Sequence, residues 1–75
     1  MDGDALSVEV YAGHKGEPTP RAFVHGGLRR DVIQVVETWY TEYHCYFRVC
    51  AHDHHRYVMR HEFERDRWEL VMQEK

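Results

Sequence analysis

No stretch of this 75-residue chain approaches the ~20 consecutive apolar residues that a membrane-spanning helix needs. The opening MDGDALSVEV has no basic segment ahead of an apolar run, so neither a span nor an export signal is expected and the chain reads as cytoplasmic. Serine is nearly missing: Ser7 is the sole one, and no base with readable spacing accompanies it or either cysteine, which leaves nucleophilic catalysis without a candidate. Cysteine is confined to Cys45 and Cys50. On one strand, at roughly 3.3 Å per residue, they stand about 16 Å apart and point to opposite faces, whereas a disulfide needs Cα atoms within about 7 Å. Both are expected to be free thiols. An excess of basic residues is also lacking: 10 Lys and Arg face 13 Asp and Glu, with a net charge of -3. That balance counts against a dedicated nonspecific nucleic-acid binder and leaves room only for a local patch. Gly26-Gly27 has no following lysine or helix signal, so no phosphate loop is present.

What the chain does have is alternation. Tyr43, Cys45, Phe47, Val49 and Ala51 share one parity, and His44, Tyr46, Arg48, Cys50 and His52 share the other. Successive side chains on a strand point to opposite faces, so the first set is the expected core face. Tyr57, Met59, His61 and Phe63 form the next such set, then Trp68, Leu70 and Met72. A three-residue loop at 53–55 sets Ala51 opposite Tyr57, Val49 opposite Met59 and Phe47 opposite His61. A two-residue turn at Arg65 and Asp66 sets Phe63 opposite Trp68, His61 opposite Leu70 and Met59 opposite Met72. Residues 43–72 therefore read as a three-stranded antiparallel meander with one apolar face.

Taken in order, residues 1–5 are expected to be a frayed end and Leu6 to Tyr11 a short strand. The Gly and Pro residues of 12–20 predict a mobile loop. Arg21 to His25 reads as a strand, and Gly26-Gly27 as a tight hairpin turn with positive φ. In 31–43, Val32, Val35, Val36, Trp39 and Tyr43 fit helical spacing, and Asp31 with Gln34 resembles a capping box. Against a helix stand the β-branched Val32, Ile33, Val35 and Val36, followed by Thr38, Trp39, Tyr40 and Thr41. The segment is read as a long strand bulged near Glu37. The fold expected is one small all-β domain over 1–75, an antiparallel meander of five to six strands forming a partly open barrel. The alternative is an α+β fold with a helix at 31–43. A chain of this size buries only about 60% of its unfolded surface, so its core is marginal unless it pairs with a partner or a copy of itself.

Val8-Glu9-Val10, Pro20-Arg21-Ala22-Phe23, Gly26-Gly27, the Val32 to Trp39 segment, Tyr46-Phe47-Arg48-Val49, Tyr57-Val58-Met59-Arg60-His61 and Arg67-Trp68-Glu69-Leu70 follow one another in a recognisable order. That order resembles an uncharacterised bacterial family of small β domains, a domain of unknown function sometimes encoded near error-prone DNA polymerase genes. The resemblance implies a small β domain and no particular activity. His25 stands where that family often has tryptophan and Arg30 where it often has tyrosine, so an aromatic surface at those positions does not carry over.

Two candidate sites follow. In the register above, Arg48 faces Arg60 on the outer side, His52 faces Arg56 and Tyr46 faces Glu62. Tyr46, Arg48, Arg56 and Arg60 then form the aromatic and basic surface that small β domains offer to single strands or acidic peptides, against the plain reading of a solvated strand face. His52, His54 and His55 crowd a turn beside Asp53, where imidazoles could bind a transition metal weakly. The two separated ligand pairs of a structural zinc site are missing. Cys50 with His52, and Glu62 with Glu64, are spacings that ordinary strands produce by chance. The function expected is a non-catalytic binding or adaptor module. Its partner would be a protein or a second copy, with single-stranded nucleic acid as the alternative, and neither a membrane nor a cofactor is expected.

Overall fold

A computed structural model describes residues 4–13 and 17–74. The described chain contains strands and turns and no helix: β1 (Asp4–Ala5), β2 (Ser7–Ala12), β3 (Pro18–His25), β4 (Leu28–Tyr40), β5 (His44–Ala51), β6 (Arg56–Glu62) and β7 (Arg67–Glu74). The helical alternative at 31–43 is thereby replaced by strand as far as Tyr40, in line with the β-branched run there, and by a bend over residues 41–43. No helix is long and apolar enough to cross a membrane among the described residues.

Every neighbouring pair is antiparallel, in the order β1-β7-β6-β5-β4-β3-β2. β1 and β2 are separated by Leu6 alone, whose N–H donates to the Trp68 carbonyl at 3.0 Å. The N-terminal segment thus pairs first with β7 and then with β3, which brings the two edges of the sheet together as a curled, partly open barrel. Residues 4 and 5 fall in the expected frayed end, but their main chain pairs with Leu70 and Glu69. Residues 1–3 lie outside the described residues.

The curl depends on β4. Its first residues pair with β3 and Val32 to Tyr40 pair with β5, and the ladder slips at Ile33 and again at Val36. Each slip inserts an unpaired residue and bends the strand, so one 13-residue segment serves both halves of the barrel. The bulge near Glu37 is there, with a second one before it. The expected loop at 12–20 is shorter than its glycines and prolines suggested. Ala12 ends β2 and Pro18 begins β3, while residues 14–16 lie outside the described residues. Pro18 and Pro20 fit a strand because β4 reaches only as far as Ala22, so their missing N–H groups leave no ladder bond unmade on that side. A bulge at Arg21 accommodates the remaining mismatch with β2.

The core gathers Phe23, Cys45, Phe47, Val49, Ala51, Tyr57, Met59, Trp68 and Leu70, with Leu6, Val8, Val32 and Val35 packed against it. Trp68 is 8% exposed and stacks on Phe47 and on the His61 ring. The faces follow the alternation, but the register differs by two residues in both hairpins. Val49 faces Tyr57, Phe47 faces Met59 and Cys45 faces His61. Met59 faces Leu70 and His61 faces Trp68. Both connections are four residues long, not three and two, each with a residue in the left-handed region: His54 at φ 67 and Asp66 at φ 51. Asp and His enter that region more readily than most side chains. Phe63 is consequently a turn residue, and Tyr43 lies in the turn before β5; both are exposed rather than core. Met72 is exposed too, since a bulge at Val71 moves it opposite Val58 on the outer face.

Candidate functional site

The outer face of β4 to β7 is built from rows of directly opposed residues. One row runs Trp39, Tyr46, Arg60, Glu69 and the next Glu37, Arg48, Val58, Met72. Arg48 and Arg60 therefore do not face one another, Tyr46 does not face Glu62, and Arg56 faces Cys50 rather than His52. Carboxylates lie within reach of Arg48 and of Arg60. Arg60 Nε donates to Glu69 Oε1 at 2.8 Å. The Tyr46 hydroxyl and then Glu69 hold the Arg60 guanidinium in its charged form, raising its pKa against the effect of burial. Arg48 donates to Glu37 and, at 3.1 Å, to Glu74, while its guanidinium lies 5.3 Å from the centre of the Trp39 ring. Trp39 in turn stacks on Tyr46, with rings 5.3 Å apart and nearly parallel. Three of the four expected site residues, Tyr46, Arg48 and Arg60, are thus brought together, already engaged by one another and by acids. Arg56 stands apart and exposed, at the start of β6.

The histidine turn is a structural tie. The His52 Nδ1 accepts the Asp31 N–H at 2.8 Å, and the His52 N–H donates to the Asp31 carbonyl, so that imidazole fastens the turn to β4. Asp53 is the hub. It accepts from the Tyr57 hydroxyl at 2.6 Å, from the His55 N–H at 3.0 Å and from Arg30 Nε at 3.1 Å. Burial alone would raise its pKa, but those donors, Tyr57 first, outweigh it and bring the carboxyl down to about 2. His54 sits exposed at the left-handed position of the turn. His52, His54 and His55 do not converge, and among the described residues no group of three His, Cys, Asp or Glu is arranged to hold a metal. Arg30 lies over the Tyr57 ring at 5.7 Å and bonds Asp53, so a cation braces that corner from within.

A third location was not visible in the sequence. At the end of the barrel formed by Gly13 with Glu17 and by the connections 41–43 and 63–66, a cavity of about 250 Å³ is lined by Glu17, Pro18, Tyr40, Cys45, His61 and Phe63. Its floor is a directly opposed pair, Cys45 on β5 and His61 on β6. His61 is held from behind by Asp66, with Nε2 to Oδ1 at 2.6 Å, and lies between Trp68 and Phe63. Burial pushes the Cys45 thiol up, against a hydrogen bond with Tyr40, and the nearby Glu17 charge adds to the rise. The wall is aromatic and open: Tyr40 is 54% exposed and Phe63 49%. Tyr43, 60% exposed, stands next to them, its carbonyl accepting the Phe63 N–H at 3.1 Å. The Tyr40 hydroxyl donates to Glu17, a bond that fixes the carboxylate at the rim and pushes the phenol up to about 12. On these three connections, the described residues carry Glu17, Glu42, Glu64 and Asp66 against Arg65 alone; Lys15 lies outside the described residues. The opposite end carries the Gly26-Gly27 and histidine turns. The sequence holds one signal, the aromatics Tyr43 and Phe63 lying where strand alternation gives way to turns, but the same alternation assigns both to the core face.

The chain matches no protein-family model, no curated protein and no solved structure.

Proposed function

We propose that this chain is a non-catalytic binding module that docks a protein partner at the Tyr40, Tyr43 and Phe63 end of its barrel. The observation that carries this reading is the pair of half-exposed aromatic side chains Tyr40 and Phe63 lining a cavity floored by Cys45 and His61, with exposed Tyr43 joined to Phe63 through the main chain, since large exposed aromatics grouped at a concave site are what interface anchors look like. The raised thiol of Cys45 supports binding over covalent chemistry, because the thiolate is the nucleophile and burial disfavours it. Two free cysteines, one buried and one half-buried on opposite faces, accord with the reducing cytoplasm as its compartment. Kinship with the bacterial β domains found near error-prone polymerase genes is part of the proposal, and a curled meander suits it. Nucleic-acid binding through Tyr46, Arg48, Arg56 and Arg60 is the weaker reading: Arg48 and Arg60 already spend their charge on Glu37, Glu74 and Glu69.

The test is a selection from a displayed peptide library, followed by affinity measurement on wild type, Phe63→Ala and Arg56→Gln. Selected peptides should bind Phe63→Ala at least ten-fold more weakly and Arg56→Gln unchanged; the reverse pattern would move the interface to the basic face. In parallel, short single strands titrated at two salt concentrations should give no response even at low salt, where phosphate contacts are strongest.

A further inference from the structure

We infer that the group this cavity accepts is an alkylammonium, the charged head of a lysine-type side chain, tightest when N-methylated. The inference rests on the reading of this end as the docking surface and specifies what enters it. Size comes first. At about 250 Å³ the cavity lies below the roughly 300–1,000 Å³ of pockets for drug-sized ligands, so it suits one side chain and not a nucleotide or a bulky cofactor. Chemistry comes next. Tyr40 and Phe63 present ring surface at the opening, and aromatic faces carry negative charge density that attracts cations. Among the described residues no lysine or arginine lines the cavity, whereas Glu17 does. Because Glu17 Oε2 accepts the Tyr40 hydroxyl, the carboxylate is held in place and its Oε1 is free of that bond.

Charge then decides the sign of the guest. A carboxylate or phosphate entering here would meet Glu17 at the wall with Glu42, Glu64 and Asp66 on the surrounding turns, and like charges in a partly dry site repel strongly. A neutral apolar group would fill the space but leave the rim carboxylate without a counter-charge. A bare ammonium must shed tightly held water to contact the rings. Methylation spreads the charge and makes the head both apolar and cationic, which matches a site whose walls are ring carbon and whose rim is acidic. His61 adds a further ring at the floor, oriented by Asp66.

The experiment uses capped amino acids as probes: Nε-trimethyl-lysine, lysine, and the neutral analogue in which a tert-butyl group replaces the trimethylammonium. Each is titrated calorimetrically into wild type, Phe63→Ala, Glu17→Gln and Tyr40→Phe, with melting curves confirming that the variants fold. Trimethyl-lysine should bind at least ten-fold tighter than its neutral analogue. Glu17→Gln and Tyr40→Phe should each weaken it several-fold, the second because it frees the carboxylate while keeping the ring, and Phe63→Ala should abolish binding. Equal or tighter binding of the neutral analogue would overturn the cation assignment and leave the docking surface standing. So would no binding of any probe while library-selected peptides still depend on Phe63. Loss of both, with peptides indifferent to Phe63, would overturn the docking surface as well.

Discussion

Asp53 shows how much a single side chain settles in so small a molecule. One carboxylate takes the Tyr57 hydroxyl, the His55 N–H and the Arg30 guanidinium, and so joins the β5–β6 turn to the core and to β4. Its pKa falls from an ordinary 3.8 to about 2 in the folded chain. The stabilisation it gives is therefore complete above about pH 4 and is lost as pH drops towards 2, as protons bind first to the unfolded form. Asp53→Asn should melt below wild type at pH 7, and the gap should close across that acidic window; a gap independent of pH would show that the charge is not what matters. The cysteines give a second test at this scale. Cys45, buried with a raised thiol, should react with a thiol reagent only on unfolding, and half-buried Cys50 should react in the native protein. Equal rates would mean that the faces of β5 are misassigned.

At the scale of elements, the sequence announces faces more readily than partners. Alternation from Cys45 to Ala51 and from Tyr57 to His61 named the buried set, because side-chain direction follows from strand geometry alone. Moving a strand by two residues leaves every side chain on its own face, so the apolar pattern is equally content with either register. The turns decide it: His54 and Asp66 accept positive φ and allow four-residue connections, which turn composition alone does not distinguish from shorter ones. That change alone relocates Phe63 from core to surface and turns an expected Arg48–Arg60 clash into separate ion pairs. Gly26-Gly27 was legible because its demand is absolute: both residues have positive φ, at 61 and 78. Nothing lies within 4 Å of a Cβ added at Gly27, so Gly27→Ala should meet no steric neighbour and cost only the strain of an L residue at positive φ, about 1–2 kcal/mol by urea unfolding. An unchanged midpoint would mean the hairpin relaxes to another turn. Arg60→Gln should cost roughly 1–3 kcal/mol in the same assay, since it strips a charged hydrogen bond from the buried Glu69. No loss would return Arg60 to the pool of residues held for a partner.

The whole molecule is a polarised barrel. One end carries the glycine hairpin and the Asp53 turn, while the other carries a cavity lined by Tyr40 and Phe63 with Glu17 at its rim and Tyr43 exposed beside Phe63. This polarity was illegible in the sequence because it joins residues from three connections, 17, 40 to 43 and 63, that only the curl of β4 brings together. The basic face, conspicuous in the sequence, turns out to be largely satisfied from within. The decisive measurement is a map of backbone amide shifts in labelled protein as a library-selected peptide is added. Perturbations centred on Tyr40, Cys45, His61 and Phe63, with the rows around Arg48 and Arg60 quiet, are the predicted result. Perturbations centred on Tyr46, Arg48, Arg56 and Arg60, with the cavity quiet, would contradict it.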